Sequence, residues 1–231
     1  MKTLFLIPAR GGSKGIPGKN IKNFNGKPLI WYSIDLAREF AEDKDICVST
    51  DSPEIVEVVR AYGLELPFIR PSEFATDTAS GYDVIMHAVR FYEEKGILYD
   101  RVVLLQPTSP LRTVQHLKES LELFDEAVDM VVSVSELYNP VYLCYNEDDK
   151  GYLKKLAENT FTRRQDMPKV YKYNGAIYIM RVDTLKKMPL SEFSRIKKYV
   201  MSDTDSVDID TPLDWEVAEL IYNKRLKGEY I

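Results

Sequence analysis

Cysteine and histidine are scarce in this sequence, which has two of each among 231 residues. Cys47 and Cys144 lie far apart and lack the close spacing of a zinc site, so we expect no thiolate metal centre. His87 and His116 both fall on predicted helices, and we interpret them as structural. So few thiols also favour a reducing compartment.

Long apolar runs and excess positive charge are missing as well. No run approaches the ~20 residues of a membrane span, and the N-terminus does not resemble a signal peptide. The net charge of −5 and pI near 5.3 argue against nucleic acid as the main partner. We therefore expect a soluble, cytoplasmic protein that binds neither membrane nor nucleic acid, and 45% hydrophobic residues are enough for a substantial core.

Glycine and positive charge are concentrated in residues 7–20, IPARGGSKGIPGKN, which we call the glycine loop. The loop follows an apolar run at residues 4–7 that predicts a buried strand. Its four glycines let backbone N–H groups approach a ligand closely. Arg10, Lys14 and Lys19 repel one another unless an anion lies among them, and a nucleotide triphosphate would fit.

Two familiar phosphate-binding loops do not match this sequence. A P-loop needs four residues between its first glycine and Gly-Lys-Ser/Thr, whereas Gly12 and Gly18 enclose five and Asn20 replaces the Ser or Thr. The dinucleotide motif Gly-x-Gly-x-x-Gly is present only in its second half, at Gly12 and Gly15. The glycine loop is therefore predicted to hold phosphate in some other arrangement.

Strand-like and helix-like segments alternate along most of the chain. Strands are predicted at residues 4–7, 46–50, 67–71, 102–105, 130–134 and 174–180. Helices are predicted at residues 29–40, 52–63, 80–94 and 113–124, and after the N-cap Thr211. This order predicts one α/β domain, residues 1–231, with a doubly wound, mostly parallel sheet. The glycine loop, the turn at Asp51 and residues 106–110 should then share one rim, at the carboxyl ends of the strands.

Residues 139–173 interrupt this alternation, and we call them the excursion. Residues 146–151 are predicted to form a hairpin tip, and residues 162–168 have no periodicity. The excursion carries many apolar side chains, which a symmetric partner would bury. We predict a homodimer formed through this excursion, with folding back onto the same domain as the alternative.

Residues 203–210, which we call the acidic segment, contain a second candidate site. On an extended chain Asp208 and Asp210 point to the same side. Two such carboxylates repel unless a cation lies between them, and Mg²⁺ prefers oxygen ligands. The pair predicts a magnesium site, although both residues could instead serve only as turn and cap residues.

Six motifs occur in order along the chain: the glycine loop, Arg70-Pro71, Asp77-Thr78-Ala79-Ser80, residues 105–112 (LQPTSPLR), residues 174–178 (NGAIY) and Asp208-Ile209-Asp210. Together they resemble the N-acylneuraminate cytidylyltransferases, or CMP-sialic acid synthetases, over nearly the whole chain. The resemblance implies a nucleotide-diphospho-sugar transferase-like fold without the extra phosphatase-like domain of some longer relatives. It also implies a dimer in which one subunit's excursion helps to close the other's sugar pocket.

The resemblance further implies an Mg²⁺-dependent reaction in which a nine-carbon 2-keto sugar acid attacks the α-phosphorus of CTP and pyrophosphate leaves. Such a reaction requires no cysteine or histidine nucleophile. The implied nucleotide-binding residues are Arg10, Ser13, Lys14, Lys19, Asn20, Arg70, Ala79, Ser80 and Gln106. The implied sugar-binding residues are Gln106, Arg164, Asn174 and Tyr178, with Arg164 facing the sugar carboxylate. Metal ligands would be Asp208 and Asp210, and the candidate catalytic residues are Arg10, Lys19, Gln106 and Asp210.

Other functions remain open from the residues alone. Pseudaminate and legionaminate enzymes look alike at this level, and a cytidylyltransferase for an eight-carbon keto acid is a near alternative. A sugar-1-phosphate nucleotidyltransferase would share the sheet and the magnesium but fits the glycine loop poorly. A nucleotide-binding regulator without catalysis would leave Arg164 and the carboxylate pair without a role.

Overall fold

A six-stranded sheet lies at the centre of the computed structural model, which describes residues 1–13, 15–76, 80–138, 141–157, 161 and 163–229. The strands are β1 (Thr3–Pro8), β2 (Asn23–Phe24), β3 (Lys27–Pro28), β4 (Ile46–Ser49), β5 (Arg101–Leu104), β6 (Met130–Glu136), β7 (Tyr145–Glu147), β8 (Leu153–Lys155), β9 (Tyr171–Arg181) and β10 (Ile196–Val200). The helices are α1 (Leu29–Arg38), α2 (Pro53–Ala61), α3 (Gly81–Glu94), α4 (Val114–Glu122), α5 (Val182–Leu185) and α6 (Pro212–Leu226). None of the described helices is long and apolar enough to cross a lipid bilayer.

The strand order is β10-β6-β9-β5-β1-β4, and the prediction of a mostly parallel sheet is confirmed. β1 pairs in parallel with both β4 and β5, and β10 pairs in parallel with β6. β9 lies antiparallel between β5 and β6. Because β9 runs in the opposite direction, its early residues lie at the rim where β5 and β6 end. This places Asn174, Gly175 and Tyr178 at the predicted ligand-binding edge.

Both faces of the sheet are covered, which explains the unbroken apolar run of β1. Phe5 and Ile7 pack into one core cluster with residues of α1 and α2. Leu4 and Leu6 point to the opposite face and pack into a second cluster with α3. Successive strand side chains alternate between faces, so a strand buried on both sides must be apolar at every position.

The predicted edge strand at residues 67–71 is wrong. This segment is not a strand, although the Arg70 N–H donates a hydrogen bond of 2.8 Å to the Thr50 carbonyl. Pro67 and Pro71 have no N–H to donate, which prevents a continuous ladder. The predicted hairpin tip is confirmed, since β7 and β8 pair in antiparallel fashion on either side of it.

The buried carboxylate of Asp129 joins three elements at the rim opposite the glycine loop. Thr184 on α5 donates to it at 3.0 Å, and Arg195, just before β10, donates through its backbone N–H at 3.2 Å and its Nε at 3.0 Å. Hydrogen bonds from Arg195 lower the pKa of Asp129 to about 2. The carboxylate therefore stabilises the fold above its unfolded pKa, and this contribution is lost as the pH falls through about 2.

We expect Asp129→Asn to lower the free energy of unfolding at pH 7 by about 2 kcal/mol, because charge-assisted hydrogen bonds are lost from a buried group. Urea denaturation checks this, with the exposed Asp183 on α5, changed to Asn, as the control. The difference between wild type and Asp129→Asn should shrink as the pH is lowered toward about 2. A difference that stays constant with pH would contradict the assignment.

Candidate active site

Three sequence-distant segments meet in a cavity of about 400 Å³ at the carboxyl rim of the sheet. They are the glycine loop, the turn after β5 and the end of the acidic segment. The lining residues are Pro8, Arg10, Ser13, Gly15, Lys19, Asn20, Gln106, Pro107, Thr108 and Asp210. The prediction that the glycine loop and residues 106–110 share one rim is confirmed.

Lys19 joins the glycine loop to the acidic segment. Its Nζ donates to the Ile209 carbonyl at 2.6 Å and to Asp210 Oδ1 at 2.9 Å, and only 10% of its side chain is exposed. Gly15 makes the same junction through its backbone, because a Cβ there would lie 2.1 Å from the Asp210 carbonyl oxygen. Only glycine permits so close an approach.

A second set of contacts fixes the other side of the glycine loop. The Gly11 N–H donates to Asp51 Oδ1 at 3.1 Å, and the same oxygen lies 3.5 Å from the Arg70 guanidinium. Asn20 donates to the Arg10 carbonyl at 3.1 Å. Burial lowers the pKa of Arg70, Asp51 opposes this shift, and the charge of Arg10 adds to it. Asp51 thus connects the glycine loop to Arg70. Its position just after β4, at the carboxyl rim of the sheet, is the sequence signal for this role.

The two carboxylates of the acidic segment differ in their surroundings. The Asp210 side chain is exposed, whereas Asp208 is half-buried beside Thr108. Burial raises the pKa of Asp208, a hydrogen bond from Thr108 lowers it, and the charge of Asp210 raises it further. The Ile209 N–H donates to the Thr108 carbonyl at 2.8 Å, which holds this segment against the turn after β5.

One buried oxygen of the pair, Asp208 Oδ1, has no hydrogen-bond partner among the described residues. An orphaned carboxylate oxygen beside a second carboxylate suits a hard cation. Within the described part of the chain, no group of three or more His, Cys, Asp or Glu could hold a metal ion. Mg²⁺ commonly takes one or two carboxylates and completes its shell with water and phosphate oxygens. The pair therefore fits an ion that is shared with a bound phosphate ligand.

The start of β9 lies against Gln106 and Asp208. Gly175 has φ +79°, and a Cβ there would lie 3.3 Å from both Asp208 Oδ2 and Gln106 Oε1. The partly buried Tyr178 lies close enough to Asp208 that burial and this negative charge both raise the pKa of its phenol. Asn174 is buried, accepts from Ser133 at 2.6 Å and donates to Ser206 at 2.9 Å, so its amide joins β6 to the acidic segment.

A family model described as cytidylyltransferase matches residues 4–225. The chain belongs to the cytidylyltransferase family. It is therefore a nucleotidyltransferase, and the resemblance predicted from the six motifs is confirmed.

Two curated relatives and one solved structure illustrate the similarity. The chain is 35% identical over 223 residues to the CMP-N,N'-diacetyllegionaminic acid synthase of Legionella pneumophila, covering 95% of each protein. It is 39% identical over 219 residues to an N-acylneuraminate cytidylyltransferase of Streptococcus agalactiae, covering 93% of this chain and 52% of that relative. The structure of CMP:2-keto-3-deoxy-manno-octonic acid synthetase complexed with CTP superposes with a TM-score of 0.72 at 20% identity, over 97% of this chain and all of the other. At that identity the structural likeness shows the fold alone.

Other predicted site residues of this cytidylyltransferase lie away from the cavity lining or outside the described residues. Ser80 is the N-cap of α3, where its hydroxyl accepts from the Asp83 N–H, so the predicted helix start is confirmed. Arg164 begins a short 3-10 turn, and its side chain lies outside what the structure describes. Lys14 and Ala79 are also outside the described residues.

Arg112 is a buried residue beside the site that was missing from the predicted site residues. It belongs to a predicted motif, but an isolated arginine after two prolines has no periodic signal that separates a buried position from a surface one. In the structure it is 7% exposed and contacts the main chain of Gln106.

Proposed function

We propose that this cytidylyltransferase joins CTP to a nine-carbon 2-keto sugar acid, giving the CMP-sugar and pyrophosphate. The observation that carries the proposal is the junction between the cationic glycine loop and the carboxylate pair, made by Lys19 and Gly15. It sets the cationic glycine loop against the segment that carries Asp208 and Asp210, an arrangement that suits a triphosphate with Mg²⁺. The names of the two curated relatives support a nine-carbon acid as the acceptor.

In the proposed reaction the sugar's anomeric hydroxyl attacks the α-phosphorus of CTP. An oxygen–phosphorus bond forms, the bond to the β-phosphate's bridging oxygen breaks so that pyrophosphate leaves, and the hydroxyl's proton is released to water. Arg10 and Lys19 hold the triphosphate and offset its charge, with Ser13, Asn20 and backbone N–H groups of the glycine loop around it. Mg²⁺ held by Asp208 and Asp210 would neutralise charge on the phosphates as pyrophosphate leaves.

The base and the sugar acid are assigned to residues on either side of this centre. Arg70, Ala79 and Ser80 are proposed to read the cytosine. Gln106 lies beside Asp208 and Gly175, a position suited to contact both substrates. We assign the sugar's carboxylate to Arg164, whose planar guanidinium can bond two oxygens, and the pocket wall to Asn174 and Tyr178.

A pyrophosphate-release assay with each nucleoside triphosphate and a panel of sugar acids tests this function. The panel contains N-acetylneuraminate, legionaminate, pseudaminate and the eight-carbon keto acid. We expect release with CTP and a nine-carbon acid. Legionaminate is the second candidate acceptor, because the legionaminate-named relative matches along 95% of both proteins. Release only with the eight-carbon acid, or with none, would overturn the proposal.

A homodimer formed through the excursion is the second part of the proposal. The β7–β8 hairpin exposes Tyr145, Tyr152, Leu153 and Leu156, by 45%, 68%, 70% and 51% of their surfaces. By the strand register, Tyr145 and Leu153 lie on one face of this hairpin, whereas Tyr152 and Leu156 lie on the other. Both faces therefore expose large apolar side chains of the kind that a partner covers, and a second copy of the chain presents the same hairpin for a symmetric contact.

We expect the double substitution Tyr152→Glu, Leu153→Glu to give folded monomers whose KM for the sugar acid rises about tenfold, because charge opposes association and the second subunit helps to close the sugar pocket. Light scattering at micromolar concentration and steady-state kinetics measure the two effects. Lys150→Glu, an exposed change at the same hairpin tip, is the control. A wild-type monomer with full activity would contradict the dimer, and monomeric variants with an unchanged KM would contradict its role in the site.

A further inference from the structure

Arg112 is a buried residue whose guanidinium contacts the main chain of Gln106, a residue that lines the active-site cavity. Arg112 follows the turn after β5, and one terminal nitrogen donates to the Gln106 carbonyl at 2.7 Å and to the Ala176 carbonyl at 3.1 Å. The other terminal nitrogen donates to the hydroxyl of Ser33, which is fully buried on α1. One side chain thus connects the cavity turn, strand β9 and helix α1.

These three acceptors are all neutral, which is unusual for a cation that is 7% exposed. Burial lowers the pKa of Arg112 to about 9, and the charge of Asp208 opposes this shift. Arg112 Nε has no hydrogen-bond partner within the part of the chain that the structure describes. A hydrophobic side chain would avoid this desolvation cost but would remove the donor to the Gln106 and Ala176 carbonyls, so what the arginine adds is its bonds to these two segments.

The two main-chain acceptors of Arg112 lie on segments that border the active site, so Arg112 can fix the spacing between these segments. Gln106 belongs to the cavity wall, and Ala176 follows Gly175 on β9. The site where Gly175 would carry a Cβ is 3.3 Å from both Gln106 Oε1 and Asp208 Oδ2. The distance between the Gln106 amide and the Asp208 carboxylate therefore depends on how closely the turn that carries Gln106 approaches β9. Arg112 bonds to the main chain of both that turn and β9.

We propose that Arg112 is a positioning residue of the active site, which fixes the main chain of Gln106 against Ala176 and thereby sets Gln106 beside Asp208. The inference rests on the proposed function, since it assigns Gln106 to the reacting groups. Arg112 itself touches no substrate. One terminal nitrogen of its planar guanidinium bridges the two carbonyls while the other bonds to Ser33, and a single lysine ammonium cannot reproduce this fixed pair of donors.

A double-mutant cycle between Arg112→Lys and Gln106→Ala tests this role. We expect Arg112→Lys to lower kcat about tenfold with little change in the KM for CTP, because a misplaced group affects the transition state more than nucleotide binding. In the Gln106→Ala background the same change should lower kcat less than twofold, because the group that it positions is gone. Arg112→Met should lower kcat further than Arg112→Lys. Equal losses in both backgrounds, or an unchanged kcat, would overturn the proposal.

Arg181→Lys is the matched control. Arg181 lies at the other end of β9 and also donates to main-chain carbonyls, those of Val128 and Asp125, away from the cavity. We expect its kcat to equal that of the wild type. Melting temperatures of all variants identify any loss that is due to unfolding.

Hydrogen exchange in the substrate-free protein separates this inference from the proposed function. Arg112→Lys should speed exchange at residues 106–109 and 174–177, whereas Arg181→Lys should leave these amides unchanged. If the wild type transferred no nucleotide to any sugar acid, the proposed function would fail, and the exchange measurement would still decide whether Arg112 holds the turn against β9. Unaltered exchange at both segments would refute it.

Discussion

Asp208→Asn should lower turnover by about a hundredfold or more while leaving the protein folded. The carboxylate is half-buried, its Oδ1 has no hydrogen-bond partner among the described residues, and it lies beside Asp210. An amide keeps the shape of the side chain but removes the charge that would hold Mg²⁺ against the phosphates. Metal-assisted charge neutralisation contributes several kcal/mol to such reactions, which sets the size of the expected loss.

We expect Asp208→Asn to lower activity without lowering the stability of the fold. Burial raises the pKa of Asp208, so the ionised carboxylate is less stable in the folded protein than in the unfolded chain. Above the folded pKa this difference destabilises the fold, and a neutral amide removes it. We therefore expect the melting temperature of Asp208→Asn at pH 7 to equal or exceed that of the wild type.

The measurement compares wild type, Asp208→Asn and Asp210→Asn over a range of magnesium concentrations. Both variants should need more magnesium and reach a lower maximal rate. Glu216→Gln, an exposed carboxylate on α6, controls for a general loss of negative charge. Near-normal activity of both aspartate variants at low magnesium would contradict the assignment of Asp208 and Asp210 as metal ligands.

Local pattern predicted most of the sheet, and the exceptions have physical causes. The apolar residues 174–180 predict a buried strand, but periodicity does not show that β9 inserts antiparallel between β5 and β6. β10 was not predicted because Lys197 and Lys198 interrupt its apolar pattern. It lies at the edge of the sheet, where charged side chains reach water and are tolerated.

The sequence predicts the parts of the candidate site in which unusual residue types cluster. It does not predict the contacts that join segments far apart in the chain. The glycine loop and the carboxylate pair each stand out in the sequence. Nothing in either motif shows that Lys19 bonds to the Ile209 carbonyl, or that Gly15 touches the Asp210 backbone. Arg112 was missed for the same reason, since its acceptors lie on the cavity turn, β9 and α1.

The contact at Gly15 leads to the second large expected effect. We expect Gly15→Ala to lower kcat/KM about a hundredfold, since misplacement by ~1 Å can cost that much. The new Cβ would lie 2.1 Å from the Asp210 carbonyl oxygen, so either the glycine loop or the acidic segment must move. Backbone atoms cannot yield as the end of a flexible side chain can. The movement would separate the cations of the loop from the carboxylates, and Lys19 would lose its bonds to Ile209 and Asp210.

Gly12→Ala is the matched control in the same loop. A Cβ at Gly12 meets nothing within 4 Å in the described structure, and its φ lies outside the left-handed region. Both substitutions add one methyl group and restrict the unfolded chain equally. Isothermal titration with CTP, together with transfer kinetics, should show a large defect for Gly15→Ala and a much smaller one for Gly12→Ala. If the two substitutions changed CTP binding and transfer equally, the contact between Gly15 and Asp210 would not be what organises the site.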